Sequence, residues 1–222
     1  MVVTIIGLKG IPNIKKGDDI AEMIYSALKK QNMDLMDNDV IVITQKIVSK
    51  SEGEIIDLDR IKPSRLAIRL AKIGKKDPKV IEVILRESKS ILRMKNFVSI
   101  LPRDPDKSAA KIRRKLAKLT GRDLAVIISD TFGRPWRIGQ VNVAVGVAGI
   151  KPIKNYRGKK DMFDQELRVT MMAIADELSS AAELVMNKSD GVPVAIVRGY
   201  DYLKGKASIK ELVRPIEFDL FR

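Results

Sequence analysis

Residues 127–140 read Ile-Ile-Ser-Asp-Thr-Phe-Gly-Arg-Pro-Trp-Arg-Ile-Gly-Gln, and the chain changes character abruptly within them. The apolar residues at 124–128 are typical of a buried core strand. Asp130 and Thr131 then follow at the carboxyl end of that strand, where open α/β sheets place their ligand-binding groups. The pattern predicts an α/β fold with a candidate site at this point.

Two arginines, Arg134 and Arg137, follow this acidic and hydroxyl pair. Their guanidinium groups are suited to grip phosphate or carboxylate oxygens. A carboxylate, a hydroxyl and two arginines together suggest phosphate and metal chemistry. The alternative is that Asp130 and Thr131 only cap a turn and that the arginines are solvated, and the stretch taken alone favours this alternative.

The composition excludes several kinds of chemistry. The chain has 222 residues, of which 45% are hydrophobic, so it is long enough for one large domain or two small ones. It contains no histidine and no cysteine. Imidazole catalysis, thiol chemistry and zinc fingers are therefore excluded, and any metal must bind oxygen ligands. No signal peptide or membrane-spanning apolar run is evident, so we expect a cytoplasmic protein without membrane association.

The formal net charge of +14 is compatible with nucleic acid, an anionic small molecule or solvated lysine-rich faces. Aromatic residues make up only 5% of the chain, and the basic residues are dispersed. The densest basic run, residues 107–122, has apolar residues at helical spacing, which predicts a helix with a solvated basic face. Nucleic-acid binding is therefore the least favoured of the three.

Alternating patterns predict strands at 2–8, 39–44, 91–94, 97–100, 141–147 and 192–197. Helical patterns occur at 19–30, 63–73, 78–87 and 167–186, whereas the lysine-rich residues 45–53 are predicted to form a polar loop. The proline-rich connector at 101–106 is a candidate division between two lobes, residues 1–100 and 101–222.

Two further features carry open alternatives. Arg157 and Lys159 belong to a basic loop that suits an anionic ligand but is equally ordinary for an exposed loop. Asp176 lies on the edge of the apolar stripe of a predicted helix. A carboxylate in a helix is usually solvated, but this one is positioned to face a site or an arginine.

Several segments, in this order, resemble the coenzyme F420-0:L-glutamate ligase (F420-0:gamma-glutamyl ligase) family. Its members use GTP to add glutamate to the deazaflavin coenzyme F420. The segments are specific jointly rather than singly. They are Gly10-Ile11-Pro12 with Gly17-Asp18-Asp19, and residues 45–53, 128–134, 158–161, 175–177 and 189–199.

The resemblance implies a two-lobed α/β fold with a mixed sheet flanked by helices, and an intertwined homodimer. It also implies a GTP-dependent acid–amino-acid ligase that acts on L-glutamate and on coenzyme F420-0 or F420-1. In the implied reaction, GTP phosphorylates the substrate carboxylate, and the glutamate amine then displaces phosphate from the acyl phosphate.

Site residues follow from the resemblance by position. Asp130 and Thr131 are implied as ligands of Mg²⁺ or Mn²⁺, with K⁺ as a further candidate cation. Asp130 and Arg134 are our candidates for catalytic residues. Arg134, Arg137, Arg157 and Lys159 are our hypotheses for residues that bind anionic substrate groups. The implied nucleotide site comprises Ile11, Pro12, Asn13, Ile14, Gln45, Lys46, Lys50, Met186, Asn187, Lys188, Ser189, Asp190, Gly191 and Val192.

The chain departs from the family pattern at two places. The family carries an Asn-Ala-Gly-Ile/Val-Asp segment, whose aspartate binds metal, where Ile100 here runs directly into Leu101. Either the chain lacks this segment, or the printed sequence omits a loop. Asn187 and Lys188 also stand where some relatives offer a carboxylate near the metal. A non-catalytic paralogue that binds GTP or the deazaflavin is therefore the alternative function.

Overall fold

The protein has a mixed α/β architecture, as its sequence predicts. The computed structural model describes residues 1–87, 91–94, 97–134 and 136–218. Contacts between residues divide the chain into two compact units, which we describe separately. The first contains residues 1–12, 19–44 and the chain from 104 onward, and the second contains 13–18 and 45–103. The expected lobes, 1–100 and 101–222, stay a prediction about domain organisation.

The first unit is built on a five-stranded mixed sheet, whose elements we number in chain order. Its central parallel pair, β2 (Val40–Thr44) and β6 (Ala125–Gly133), is flanked by antiparallel neighbours on both sides. This arrangement confirms the expected mixed sheet. From one edge to the other, the strands are β1 (Thr4–Leu8), β10 (Val194–Arg198), β2 (Val40–Thr44), β6 (Ala125–Gly133) and β7 (Gln140–Ala148).

Three helices, α1 (Ile20–Lys30), α5 (Pro105–Thr120) and α6 (Ile174–Met186), pack against this sheet. Leu178 and Met186 of α6 share one apolar cluster with strand residues such as Val42 and Ile127. Alternate strand residues point to the opposite face. There Ile41, Ile43 and Ile128 are also fully buried, and α5 packs against β6, β7 and α1. The strands are therefore apolar on both faces, which explains their continuous hydrophobic runs.

Side-chain caps set the limits of two of these helices. The Asp19 carboxylate accepts the backbone N–H groups of Ala21 and Glu22 and so starts α1. Asp104 caps α5 in the same way, and Gly121 ends that helix with a left-handed φ of +70°.

The described residues of the second unit form a three-stranded antiparallel sheet, three α-helices and one short 3₁₀ helix. Its core consists of the buried residues Leu58, Val80 and Val83, with Ile56 and Ile84 packed against them. The helices are α2 (Gln45–Glu52), α3 (Arg65–Gly74) and α4 (Pro78–Glu87). The strands are β3 (Ile55–Asp57), β4 (Ile91–Met94) and β5 (Phe97–Ile100), with β5 in the middle.

Two sequence predictions of secondary structure were wrong. The predicted polar loop at 45–53 is mostly helix α2, whose buried residues include Ile47 and Val48. The predicted helix at 167–186 begins only at Ile174. Before it, β9 (Met171–Met172) pairs with β8 (Lys154–Asn155) in a small hairpin. Short 3₁₀ helices complete the described fold at Leu58–Arg60, Ile209–Leu212 and Ile216–Phe218.

Across the described parts of the chain, no helix has the length and apolar character needed to cross a membrane.

Candidate active site

Asp130 and Thr131 lie inside β6 rather than beyond its end. The predicted core strand stops at residue 128, but the pairing of β6 with β7 shifts register between Ile128 and Ser129 and then continues to Gly133. Ile128 pairs with Gly146 and Ser129 pairs with Ala144, so the extra residue at this shift, Val145, lies on β7. The apolar run of β6 therefore ends where its pairing with β7 shifts, and not at a turn.

The Asp130 side chain is held close to the backbone of its own strand. The residue is only 6% exposed. Its Oδ1 accepts the backbone N–H of Thr131 at 2.7 Å. This short hydrogen bond restrains the carboxylate, and a restrained carboxylate is pre-organised for a ligand. Thr131, by contrast, is half-buried, so its hydroxyl is partly accessible.

A cation occupies the position beside Thr131. The Nζ atom of Lys188 donates to Thr131 Oγ1 at 2.9 Å and to Asn142 Oδ1 at 2.9 Å, and it lies 3.0 Å from Glu183 Oε1. Asn142 Nδ2 donates in turn to Glu183 Oε2 at 2.8 Å. We call Thr131, Asn142, Glu183 and Lys188 the Lys188 cluster. It joins β6, β7, α6 and the loop that follows α6.

The loop after α6 is fixed by its own hydrogen bonds. Asn187 takes a left-handed φ of +47° at the end of the helix, and its N–H donates to the carbonyl oxygen of Glu183. The Asp190 carboxylate accepts Asn187 Nδ2 and Ser189 Oγ, each at 2.9 Å. These contacts hold the backbone on both sides of Lys188. They therefore support the position of its side chain in the cluster.

Sequence reasoning did not identify Asn142 and Glu183 as members of this site. Asn142 is 2% exposed, and it shares a strand face with buried Ala144. A polar residue at a buried strand position is an available signal, because buried polar groups need hydrogen-bond partners. Glu183 lies on α6 among apolar residues and offered a weaker signal.

The side chains present fit a divalent cation only in part. Asp130 is a hard oxygen ligand of the type that Mg²⁺ and Mn²⁺ prefer. The hydroxyl of Thr131, however, accepts a hydrogen bond from Lys188. In the part of the chain that the structure describes, no group of three or more acidic side chains could hold a metal ion. Further ligands would have to come from phosphate, from water or from the oxygens that surround Lys188.

The predicted substrate-binding cations lie on two other segments. Arg134 Nη2 donates to the carbonyl oxygen of Ile138 at 3.1 Å and so braces the β6–β7 turn, in which Arg137 is exposed. Arg157 Nε donates to Asn155 Oδ1 at 3.2 Å. Lys159 Nζ lies 5.6 Å from the centroid of the Tyr156 ring. Their roles stay predictions.

The predicted nucleotide-binding residues divide between the two units. Ile11, Pro12 and residues 186–192 belong to the first unit, and the others belong to the second. Within the second unit, Gln45 is buried at the start of α2 and accepts a hydrogen bond from Ser49 Oγ at 2.7 Å. Lys46 is exposed one residue later in the helix. These assignments also stay predictions.

Asp176 faces the backbone of β7. Its Oδ1 accepts the N–H of Ala144 at 2.9 Å, so the carboxylate contacts a strand rather than the arginine suggested by the sequence. Burial raises the pKa of the Asp176 carboxyl above its ordinary value, and the Ala144 hydrogen bond opposes this shift. The folded protein therefore holds the proton of Asp176 more tightly than the unfolded chain does.

The variant Asp176→Asn is expected to raise the melting temperature at pH 7 by roughly 1 to 3 °C. In the wild type, ionisation of the buried Asp176 carboxyl destabilises the folded protein. This loss of stability begins as the pH rises above the ordinary pKa of 3.8, and it is complete above the raised pKa of the folded state. The amide keeps an acceptor for the Ala144 N–H and removes this dependence. Melting curves of both proteins from pH 3 to pH 8 measure how the melting temperature depends on pH. An unchanged pH profile in the variant would contradict the role of burial at Asp176.

Comparisons with known proteins agree with the resemblance seen in the sequence. The family model for F420-0:Gamma-glutamyl ligase matches residues 9–98 and, in a second match, 93–199. The coenzyme F420:L-glutamate ligase of Methanothermobacter thermautotrophicus is 46% identical over 251 residues, covering 100% of both chains. The enzyme of the same name from Methanocaldococcus jannaschii is 43% identical, and the alignment covers 99% of this chain and 97% of that one. The one from Methanopyrus kandleri is 39% identical, and the alignment covers 94% of this chain and 93% of that one.

The same comparisons concern the Asn-Ala-Gly-Ile/Val-Asp segment that the family pattern places between Ile100 and Leu101. The first alignment spans 251 positions and the chain has 222 residues, so at least 29 positions have no counterpart here. The two family matches meet at residues 93–98, next to the junction of Ile100 and Leu101. In the structure β5 ends at Ile100, and α5 begins at Pro105. With the fold, the Asp130–Thr131 pair and these matches taken together, the chain belongs to the F420-0:gamma-glutamyl ligase family, a family of ligases.

Proposed function

We propose that this protein is a ligase that joins L-glutamate to coenzyme F420-0, and to F420-1, in coenzyme F420 biosynthesis. The similarity to coenzyme F420:L-glutamate ligases along the whole chain carries this proposal. The non-catalytic paralogue is not favoured, because the match extends through both units and includes Asp130 and Thr131.

We further propose that GTP activates the substrate carboxylate. A carboxylate oxygen attacks the γ-phosphorus and GDP leaves. The glutamate amine then attacks the acyl carbon, phosphate leaves, and the amine loses a proton as the amide forms. Such a transfer depends on alignment and charge neutralisation more than on a strong base. This requirement suits a chain without histidine.

In this proposal the chain's own residues hold and neutralise the phosphates. Asp130 and Thr131 would hold Mg²⁺ or Mn²⁺, an ion that neutralises phosphate charge when bound. Arg134 would stabilise charge on the transferred phosphoryl group, and Lys46 and Lys50 would bind the nucleotide. The net charge of +14 supports polyanionic substrates, because a positive surface raises their encounter rate. We also propose a homodimer, as the family resemblance implies.

The test is an assay of the purified full chain with F420-0, glutamate, GTP and Mg²⁺. We expect a product heavier than F420-0 by one glutamyl residue, detected by mass spectrometry, with one GDP released per amide formed. An intact-mass measurement on the same sample establishes whether a loop exists between Ile100 and Leu101. Nucleotide binding without product, from a chain of verified mass, would contradict the ligase proposal.

A further inference from the structure

The Lys188 cluster has the ligand chemistry of a cation site. Nζ of Lys188 lies within 3.0 Å of oxygens from Thr131, Asn142 and Glu183, which belong to three different elements. Two of these contacts are hydrogen bonds from the ammonium, to Thr131 and Asn142, and the third is the ion pair with Glu183. A hydroxyl, an amide carbonyl and a carboxylate are also hard oxygen ligands of the type that Mg²⁺ and Mn²⁺ bind. One set of oxygens thus suits either an ammonium or a metal ion.

We propose that the Lys188 ammonium is the resident cation of a cage formed by Thr131, Asn142 and Glu183. A divalent ion must displace it before the Thr131 hydroxyl can act as a metal ligand. Two like charges within a few ångströms repel each other strongly at a partly buried site, so both cannot occupy the cage. The proposal rests on the proposed function only in naming Mg²⁺ or Mn²⁺ as the competing ion.

The oxygens of Thr131, Asn142 and Glu183 keep their positions when the Lys188 ammonium moves away. Asn142 is held by its bond to Glu183 Oε2 and by Ser180 Oγ, which donates to the Asn142 backbone carbonyl at 2.7 Å. The Lys188 side chain is 59% exposed, whereas that of Glu183 is only 22% exposed. The ammonium can therefore swing into solvent or onto a phosphate while the oxygens stay in place. Lys188 therefore competes with the divalent ion for these oxygens and lowers the affinity of the chain for that ion.

The test measures Mn²⁺ binding to the full chain without nucleotide or substrate, by loss of the free-ion EPR signal. Lys188→Met keeps most of the side-chain stem and removes the ammonium. We expect this variant to bind Mn²⁺ about tenfold more tightly than the wild type, because both the competing donor and its charge are gone. Adding Glu183→Gln to Lys188→Met should abolish the gain, because the cage then lacks its carboxylate.

Lys29→Met is the matched control. Lys29 pairs with Asp34 in the same unit, and its side chain is 57% exposed, so the variant makes the same charge change elsewhere. We expect its Mn²⁺ affinity to equal that of the wild type. A second variant, Lys188→Ala, should reproduce the gain of Lys188→Met, and thermal melting verifies that every variant is folded.

Three results would overturn the proposal. They are equal Mn²⁺ affinity in the wild type and both Lys188 variants, an equal gain in Lys29→Met, or a gain that survives Glu183→Gln. Since no substrate is present, an inactive ligase cannot produce any of these results. The proposal about Lys188 and the proposed ligase activity therefore fail separately.

Discussion

Asp130→Asn is expected to abolish ligation and leave the fold intact. The substitution preserves the size of a side chain that is 6% exposed and an oxygen that can accept the Thr131 N–H. It removes the negative charge that the proposed metal–phosphate site requires. We expect the turnover number to fall about 10³-fold, the loss typical of removing one pre-organised electrostatic contact. Steady-state assay of amide formation, with Mg²⁺ and GTP saturating, measures this loss.

The control for Asp130→Asn is Asp34→Asn. Asp34 forms an ion pair with Lys29 at the surface. Its side chain is 82% exposed, and that of Lys29 is 57% exposed. We expect wild-type turnover from this variant. Both variants should melt within a few degrees of the wild type. Turnover of Asp130→Asn close to the wild-type value would end its assignment as a metal ligand.

Arg198→Met is expected to cause the largest loss of stability. Arg198 donates to both carboxylate oxygens of Asp39, at 2.9 Å from Nε and 2.7 Å from Nη2. The Asp39 side chain is 1% exposed, so the variant would leave a buried carboxylate without its counter-charge. Breaking a buried pair in this way costs about 3 to 5 kcal/mol. For a chain of this size, the melting temperature should fall by roughly 10 °C.

Arg122→Met provides the matched comparison. Arg122 also pairs with an aspartate, Asp37, but at 3.4 Å and with side chains that are 48% and 55% exposed. An exposed pair of this kind contributes at most about 1 kcal/mol. Chemical denaturation of both variants compares the two free energies of unfolding. Equal losses would show that burial of Asp39 is not what makes its ion pair important.

Local sequence patterns located the core elements well. The predicted strand at 39–44 corresponds to β2, and the predicted helix at 78–87 has the bounds of α4. These elements are short, strongly apolar and bordered by turn or proline signals, which are the conditions under which periodicity is informative. The family resemblance, which rests on motifs in both units, was also confirmed.

Elements without a local signal were missed. Ala173 precedes α6 but makes no side-chain capping bond, so nothing in the sequence marks where that helix begins. In α2, the buried polar residues Gln45 and Ser49 satisfy each other across one helical turn. Two polar residues on the buried face conceal the apolar stripe of a short helix. Residues 45–52 therefore resemble a polar loop in sequence.

The Lys188 cluster could not be predicted for a different reason. Lys188 lies 57 positions from Thr131 and 46 from Asn142 along the chain. Their contact depends on how α6 packs on the sheet, which no local pattern encodes. From the sequence, Lys188 belonged to a segment implied to line a nucleotide site, at a place where some relatives offer a carboxylate near the metal, but its contacts were not predicted. In the structure it is a cation held by three oxygens beside Thr131.

The most direct measurement follows the oxygen atoms of the activated carboxylate. F420-0 labelled with ¹⁸O in that carboxylate is incubated with the full chain, GTP, Mg²⁺ and glutamate, and the released phosphate is analysed by mass spectrometry. If GTP forms an acyl phosphate, one labelled oxygen appears in phosphate for each amide formed. Amide formation that yields only unlabelled phosphate, or no amide at all, would contradict the account.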